Sequence, residues 1–75
     1  MEQQEKLLYG LENVSLAIAR LEGARENAPI QFQQHRITRE QFVGVMEHID
    51  RRLLELRYVQ AQFRSQLHQL RISAA

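Results

Sequence analysis

The sequence feature that most constrains the fold of this chain is an unbroken heptad pattern in its second half. Large side chains recur there at alternating spacings of four and three residues over four heptads, which is the repeat of a helix that packs along one seam against another helix. The seam positions are Phe42, Met46, Ile49, Leu53, Leu56, Gln60, Phe63, Leu67 and Leu70. Gly44 costs such a helix only about 1 kcal/mol relative to alanine. We therefore predict one helix over residues 39–71.

The first third of the chain has a shorter seam with the same spacing. Its positions are Leu7, Leu11, Val14, Ile18 and Leu21. Beside this seam Gly10, Ala17 and Ala24 recur every seven residues, and their small side chains would let another helix approach closely. Pro29 forces the residue before it away from helical geometry, so we predict a helix over about residues 3–24 that ends before the proline.

Residues 27–37 are then expected to form an extended connecting arm, and the second helix has a start signal directly after it. Thr38 is placed as the N-cap: its hydroxyl accepts a hydrogen bond from the Gln41 N–H, and the Gln41 side chain bonds back to the Thr38 N–H. Ile37 before the cap and Phe42 after it match the hydrophobic staple that accompanies such a capping box. These local signals predict that the second helix begins directly after the cap.

The predicted fold class is all-α: an antiparallel two-helix hairpin, like a coiled coil, that forms a single domain over residues 1–75 and has a longer second helix. At 1.5 Å per residue the helices would span roughly 33 Å and 50 Å, which leaves roughly 15 Å of the second helix without a neighbour. That end carries Phe63, Leu67 and Leu70. Because burying each such side chain is worth about 1.5–3 kcal/mol, we expect copies of the chain to cover them by oligomerising into a helical bundle.

Three further features favour association. Leu8 lies beside the first seam, and Tyr9 and Leu16 lie opposite it, which gives this helix a second apolar side. Gln60 occupies a seam position, where a polar side chain either fixes the register of a partner helix or marks a seam that has turned toward solvent. The chain has 75 residues and no cysteine, and domains of this size bury only about 60% of their unfolded surface. We therefore expect two partners, a further copy of the chain and an unidentified protein.

Charge is distributed unevenly along the sequence. Residues 1–26 carry five glutamates against three basic residues, a net charge of −2, and residues 51–71 carry five arginines against one glutamate, a net charge of +4. In the second range Arg57, Arg64 and Arg71 recur every seven residues beside the seam, where coiled coils pair charges with a partner helix. A nucleic-acid binder that follows phosphates with this arginine stripe is an alternative, although the net charge of the chain is only +1.

The start of the second helix allows another alternative, because free backbone N–H groups at a helix N-terminus carry a partial positive charge that attracts anions. His35, Arg36 and Arg39 lie around Thr38, so an oligomer could bind a small anionic ligand such as a nucleotide there. Against this, the Thr38 hydroxyl already accepts a hydrogen bond from one of the free N–H groups. The Glu40 carboxylate in the first turn also competes with an anion for the partial positive charge of the helix N-terminus.

Catalysis and metal binding have no support in the sequence. The three serines belong to no recognised nucleophile motif. The histidines His35, His48 and His68 have no second ligand at the spacing of one helical turn. The chain has neither a signal-peptide pattern nor an apolar run that would span a bilayer. We therefore expect a cytoplasmic protein with no enzymatic activity, metal or cofactor.

In size and layout the predicted hairpin resembles the small helical hairpins encoded by phages, other mobile elements and bacterial secretion systems. Many of those hairpins work by binding a component of a host or of a secretion machine, so the resemblance implies an interaction protein. We therefore predict a non-enzymatic protein that homo-oligomerises and binds another protein as an adaptor, chaperone or inhibitor.

Overall fold

A computed structural model describes residues 2–74 and shows two α-helices that pack against each other. Helix α1 comprises Glu2–Gln33 and helix α2 comprises Arg39–Ala74. The two helices run antiparallel, and together they form a rod that measures 56 × 15 × 13 Å. The predicted all-α hairpin is therefore confirmed. Neither helix, over the described residues, combines the length and the apolar character that a membrane span requires.

The core of the hairpin lies along the two predicted seams. The buried apolar residues are Leu7, Ile18 and Ala28 on α1 and Ile49, Leu53, Leu56 and Leu67 on α2. At the centre Ile18 packs with the three α2 residues from Ile49 to Leu56, and Val14 and Leu21 cover the edge of this cluster. Each of these residues except Ala28 belongs to a predicted seam, because the seam spacing places it on the face toward the other helix.

The predicted end of α1 is wrong, because the helix continues through Pro29 to Gln33. A proline inside a helix removes one backbone hydrogen bond and costs about 3 kcal/mol or more. Packing against α2 offsets this local cost: Ala28 is only 4% exposed. One turn later the rings of Phe32 and Phe42 stack with their centroids 5.0 Å apart. The extended arm predicted over residues 27–37 is therefore replaced by helix as far as Gln33 and by a short connection over residues 34–38.

The longer α1 removes the predicted overhang of α2. The helices contain 32 and 36 residues, so their lengths are about 48 Å and 54 Å at 1.5 Å per residue. Leu67, which we expected to lie beyond the end of α1, is 5% exposed, and Phe63 and Leu70 are half-buried. The prediction that these three side chains lie uncovered in a single hairpin is therefore wrong.

The connection begins with a Schellman turn that ends α1. His35 has a φ of 59° and occupies the left-handed position of this motif. Its N–H donates to the Phe32 carbonyl at 3.1 Å, and the Arg36 N–H donates to the Gln31 carbonyl at 2.9 Å, which are the two hydrogen bonds that define the turn. The left-handed conformation costs a residue with a Cβ about 1–2 kcal/mol. His35 thus serves as the helix stop that is usually a glycine.

The capping box at the start of α2 is confirmed. The Gln41 N–H donates to Thr38 Oγ1 at 3.1 Å, and the Thr38 N–H donates to Gln41 Oε1 at 2.9 Å. Helix α2 begins at Arg39, as predicted. Phe42 stacks on Phe32 of α1, so the apolar contact described at this helix start is with the other helix, and the staple to Ile37 stays a prediction.

At Gly10 the Phe63 ring of α2 lies directly against α1. A Cβ atom built on Gly10 would lie 2.8 Å from the Phe63 ring, which is closer than side-chain carbons pack. The ring therefore rests directly on the α1 backbone. The absence of a side chain at Gly10 thus makes room for the Phe63 ring, and close approach of a helix along the row of small residues stays a prediction.

The left-handed turn gives a first prediction. Replacing His35→Gly should raise the free energy of unfolding by about 1 kcal/mol, because glycine adopts a positive φ without a steric penalty. Urea unfolding followed by circular dichroism at a fixed protein concentration measures this change. Gln33→Gly, two positions earlier in the last helical residue, is the control and should lower stability by about 0.5–1 kcal/mol. A loss of stability in both variants would contradict the left-handed conformation of His35.

The packing of Phe63 gives a second prediction. Gly10→Ala should lower the free energy of unfolding by about 1 kcal/mol, because overpacking against the ring exceeds the gain in helix propensity. Gly23 and Gly44 are matched controls, since a Cβ at either position meets nothing within 4 Å. Alanine there should stabilise by about 0.5–1 kcal/mol each. Equal stabilisation at all three glycines would show that the ring does not rest on Gly10.

Candidate interaction surface

The hairpin exposes more large apolar side chains than it buries. Among residues 2–73, whose burial the structure describes, seven apolar residues are buried in the core and eleven large hydrophobic residues are exposed. The exposed residues are Leu8, Tyr9, Leu16, Ile30 and Phe32 on α1, and Val43, Val45, Leu54, Tyr58, Val59 and Ile72 on α2. Single exposed apolar residues are normal on a protein surface, but many on one small rod are typical of an interaction surface.

On α1 the exposed residues include the three that the sequence placed outside the first seam. Leu8 is 44% exposed, Tyr9 68% and Leu16 51%. Tyr9, Leu16 and Ile30 stand at intervals of seven or fourteen residues, so they form one stripe on the side of α1 that faces away from α2. We call these three residues the outer stripe of α1. Sequence reasoning missed Ile30, because it placed that residue in an extended arm.

On α2 the residues predicted for the interface are divided between the hairpin core and solvent. Phe63, Leu67 and Leu70 pack toward α1, as described above. The exposed large hydrophobic residues of the same half of α2 are instead Tyr58 at 68%, Val59 at 38% and Ile72 at 62%. Sequence reasoning did not assign these residues to the interface, because they lie off the seam.

Gln60 faces α1 and does not turn toward solvent. It is half-buried, and its Nε2 donates to Ser15 Oγ at 3.2 Å. A group of the other helix thus satisfies the amide, and a role of Gln60 in the register of an oligomer stays a prediction. That group belongs to the same chain and lies well inside α1.

Two ion pairs connect the helices on the side of the hairpin where Gln60 meets Ser15. Arg57 contacts Glu22 at 3.2 Å, and Arg25 contacts Asp50 at 2.7 Å. All four side chains are about half exposed, and ion pairs in such surroundings contribute about 0.2–1 kcal/mol each. Arg57 thus uses its charge within the chain, whereas Arg64 and Arg71 make no ion pair with any residue in 2–74.

An open groove of about 740 Å³ lies between these two ion pairs. Met46 and Leu53 contribute to its floor, and Pro29 forms part of its α1 wall. Its charged lining contains three carboxylates and two guanidinium groups. Because these charges nearly cancel, the groove has neither a strongly positive nor a strongly negative potential. Within the described residues no three histidine or acidic side chains lie close enough to share a metal ion.

The four residues predicted as an anion site are exposed and lie together in the connection between the helices. Thr38 uses both its hydroxyl and its N–H in the capping box. His35 and Arg36 use their N–H groups in the turn that ends α1. Of this set, the His35, Arg36 and Arg39 side chains have no described role in the local fold, and anion binding stays a prediction.

Comparisons with protein-family models, with curated proteins and with solved structures find no match for this chain. Fold and function therefore have to be inferred from the residues themselves. Three features have no role in the packing of the hairpin: the outer stripe, the exposed apolar residues of α2, and the charges of Arg64 and Arg71, which make no ion pair within residues 2–74.

The contact of Gln60 with Ser15 gives a third prediction. Gln60→Leu should raise the free energy of unfolding by about 1 kcal/mol, because leucine buries apolar surface in the seam while a half-exposed serine can bond to water. Gln62→Leu, at an exposed position two residues away, is the control and should change stability by less than about 0.5 kcal/mol. Thermal unfolding of both variants at equal concentration is the measurement. A destabilised Gln60→Leu variant would mean that the hydrogen bond contributes more than the seam.

Proposed function

We propose that this protein is a non-enzymatic interaction protein that self-associates into a helical bundle and binds another protein as an adaptor, chaperone or inhibitor. The observation that carries the proposal is that, among the side chains the structure describes, eleven large hydrophobic ones are exposed and seven apolar ones are buried. Two helices packed along one seam cannot enclose the rest of their apolar surface. A further helix, from a second copy or from another protein, is what would cover it.

The size of the exposed surface supports the same proposal. The accessible surface of the hairpin is 6143 Å², whereas a compact monomer of the same mass exposes about 4800 Å². Its radius of gyration is 17.0 Å, against about 11 Å for a compact domain of this length. The excess of about 1300 Å² exceeds the roughly 800 Å² that one partner buries in an interface of standard size.

The outer stripe of α1 supports the second part of the proposal, the binding of another protein. Tyr9, Leu16 and Ile30 present apolar groups at helical spacing on the side away from α2, which is the pattern that one helix offers to a groove or to another helix. A cytoplasmic setting belongs to the same proposal, on the ground that a chain without cysteine suits a reducing compartment.

The solution mass tests self-association. Analytical ultracentrifugation at micromolar concentration should give at least twice the chain mass of 8.9 kDa, because a single hairpin leaves its apolar surface in water. Circular dichroism on the same sample should show a helical protein. A mass of one chain at full helicity would contradict the proposal.

Binding of another protein is tested by co-purification from the native host, with the bound proteins identified by mass spectrometry. Tyr9→Gln combined with Leu16→Gln should lose a specific partner, since both changes remove apolar contact from the outer stripe. Asn13→Gln, at an exposed polar position on the same helix, is the control and should keep that partner. Retention of the same proteins by the Tyr9 and Leu16 variant would contradict binding through this stripe.

A further inference from the structure

The groove between the two interhelical ion pairs has an apolar interior that is open to solvent. Leu53 in its floor is buried, and Met46 beside it is half-buried. Leu54 lines the groove from α2 and is 74% exposed, the largest exposed fraction among the large hydrophobic residues that the structure describes. Pro29 lines it from α1 and is half-buried. Both helices thus contribute apolar surface to the groove that the fold of one chain leaves in water.

The length of the groove matches a short helix. It extends along α2 from Met46 to Arg57, which is about 16 Å or three helical turns at 1.5 Å per residue. A third helix often packs between two others in helical bundles, and an amphipathic helix fills a groove with apolar residues at spacings of three and four. A helix of about eleven residues with one apolar side would therefore cover the apolar side chains from both walls.

The charges of the groove lining favour a basic occupant. Both of its guanidinium groups are already paired, because Arg25 contacts Asp50 and Arg57 contacts Glu22. Glu26, the third carboxylate of the lining, is exposed and makes no ion pair within residues 2–74. The unpaired charge of the lining is therefore negative.

A second carboxylate flanks the groove on α2. Glu47 precedes Leu54 by seven residues, so it lies on the same line along the helix. It is exposed and pairs with no cation in the part of the chain that the structure describes. At 3.6 residues per turn, Glu26 and Glu47 are each rotated by about 130° from the seam. A third helix that contacts both others lies about 60° from the line between them, so the two glutamates stand at its flanks, where charges pair across helices.

Pro29 adds a hydrogen-bond acceptor to the α1 wall. Because proline has no N–H, the Arg25 carbonyl lacks the donor that residue 29 of a regular helix provides. Both residues line the groove. An ammonium or guanidinium group forms a stronger hydrogen bond with a carbonyl than a neutral donor does. This acceptor therefore favours a cationic occupant, as the two glutamates do.

We infer that the groove is the docking site for a basic amphipathic helix of another protein, with apolar residues on its inner side and lysine or arginine on its flanks. The inference rests on the proposed binding of another protein and gives that function a second site, separate from the outer stripe. The apolar side covers Leu54 and the floor, and the flanking cations pair with Glu26 and Glu47. An acidic helix of the same shape would bring like charges to both edges, which disfavours association.

A displayed library of amphipathic peptides tests the inference on the whole chain. Each peptide has about 14 residues, or four turns, with leucine fixed on one side and lysine, glutamate or glutamine varied at the flanking positions. Selection on the natural chain should enrich lysine over glutamate at these positions by at least about fivefold, because ion pairs replace like-charged contacts at both edges.

Exchange of the two groove charges gives the matched comparison. On a variant with Glu26→Lys and Glu47→Lys, the same selection should enrich glutamate. Glu5→Lys with Glu12→Lys changes the net charge equally but lies about 15 Å or more beyond the groove along α1, so this control should keep the preference for lysine. Circular dichroism of each variant checks that it is folded.

One leucine pair separates the groove from the outer stripe. Leu54→Gln should weaken binding of the enriched lysine peptide about tenfold or more in fluorescence anisotropy, because the peptide no longer buries that side chain. Leu16→Gln, at an exposed leucine of the outer stripe, is the control and should leave the affinity unchanged.

The outcomes distinguish this inference from the proposed function. A selection without preference for lysine, or a preference that does not reverse on the charge-exchanged variant, overturns the inference. If no peptide is enriched and Leu54→Gln lowers the solution mass of the natural chain, a second copy covers the groove, and the inference is again overturned. Neither result removes the self-association or the partner of the outer stripe, which have the separate tests given above.

Discussion

The seam between α1 and α2 determines both what this hairpin buries and what it leaves exposed. Each helix has one neighbour, so only a narrow stripe of each can be covered. Seven apolar residues on these stripes are buried, and no described side chain is fully enclosed. The remaining apolar residues, on both helices and at many angles around them, have no place inside one copy. The proposed bundle follows from this limit, because a further helix is the simplest cover for a helix that is apolar on two sides.

Sequence reasoning predicts the parts of the fold that depend on local spacing. The seam of α2, the capping box of Thr38 with Gln41 and the first residue of that helix all follow from residues within one or two turns of each other. The end of α1 does not. It depends on the stack of Phe32 on Phe42 and on a left-handed His35, and neither a long-range contact nor a turn without glycine leaves a clear local signal.

The error at the end of α1 also changed the predicted interface. With a shorter α1, Leu67 was expected to need a partner molecule, whereas α1 itself covers it. The exposure of Leu8, Tyr9 and Leu16 could be predicted, since it follows from their angles relative to the seam.

The claim on which the functional account depends is that the folded hairpin is stabilised by association. The most direct measurement is the thermal unfolding midpoint over about a hundredfold range of protein concentration, because association of folded chains makes the midpoint depend on concentration. The account predicts a midpoint that rises steadily as the chain becomes more concentrated. A cooperative transition at the same temperature throughout that range would contradict it and would identify the hairpin as a stable monomer.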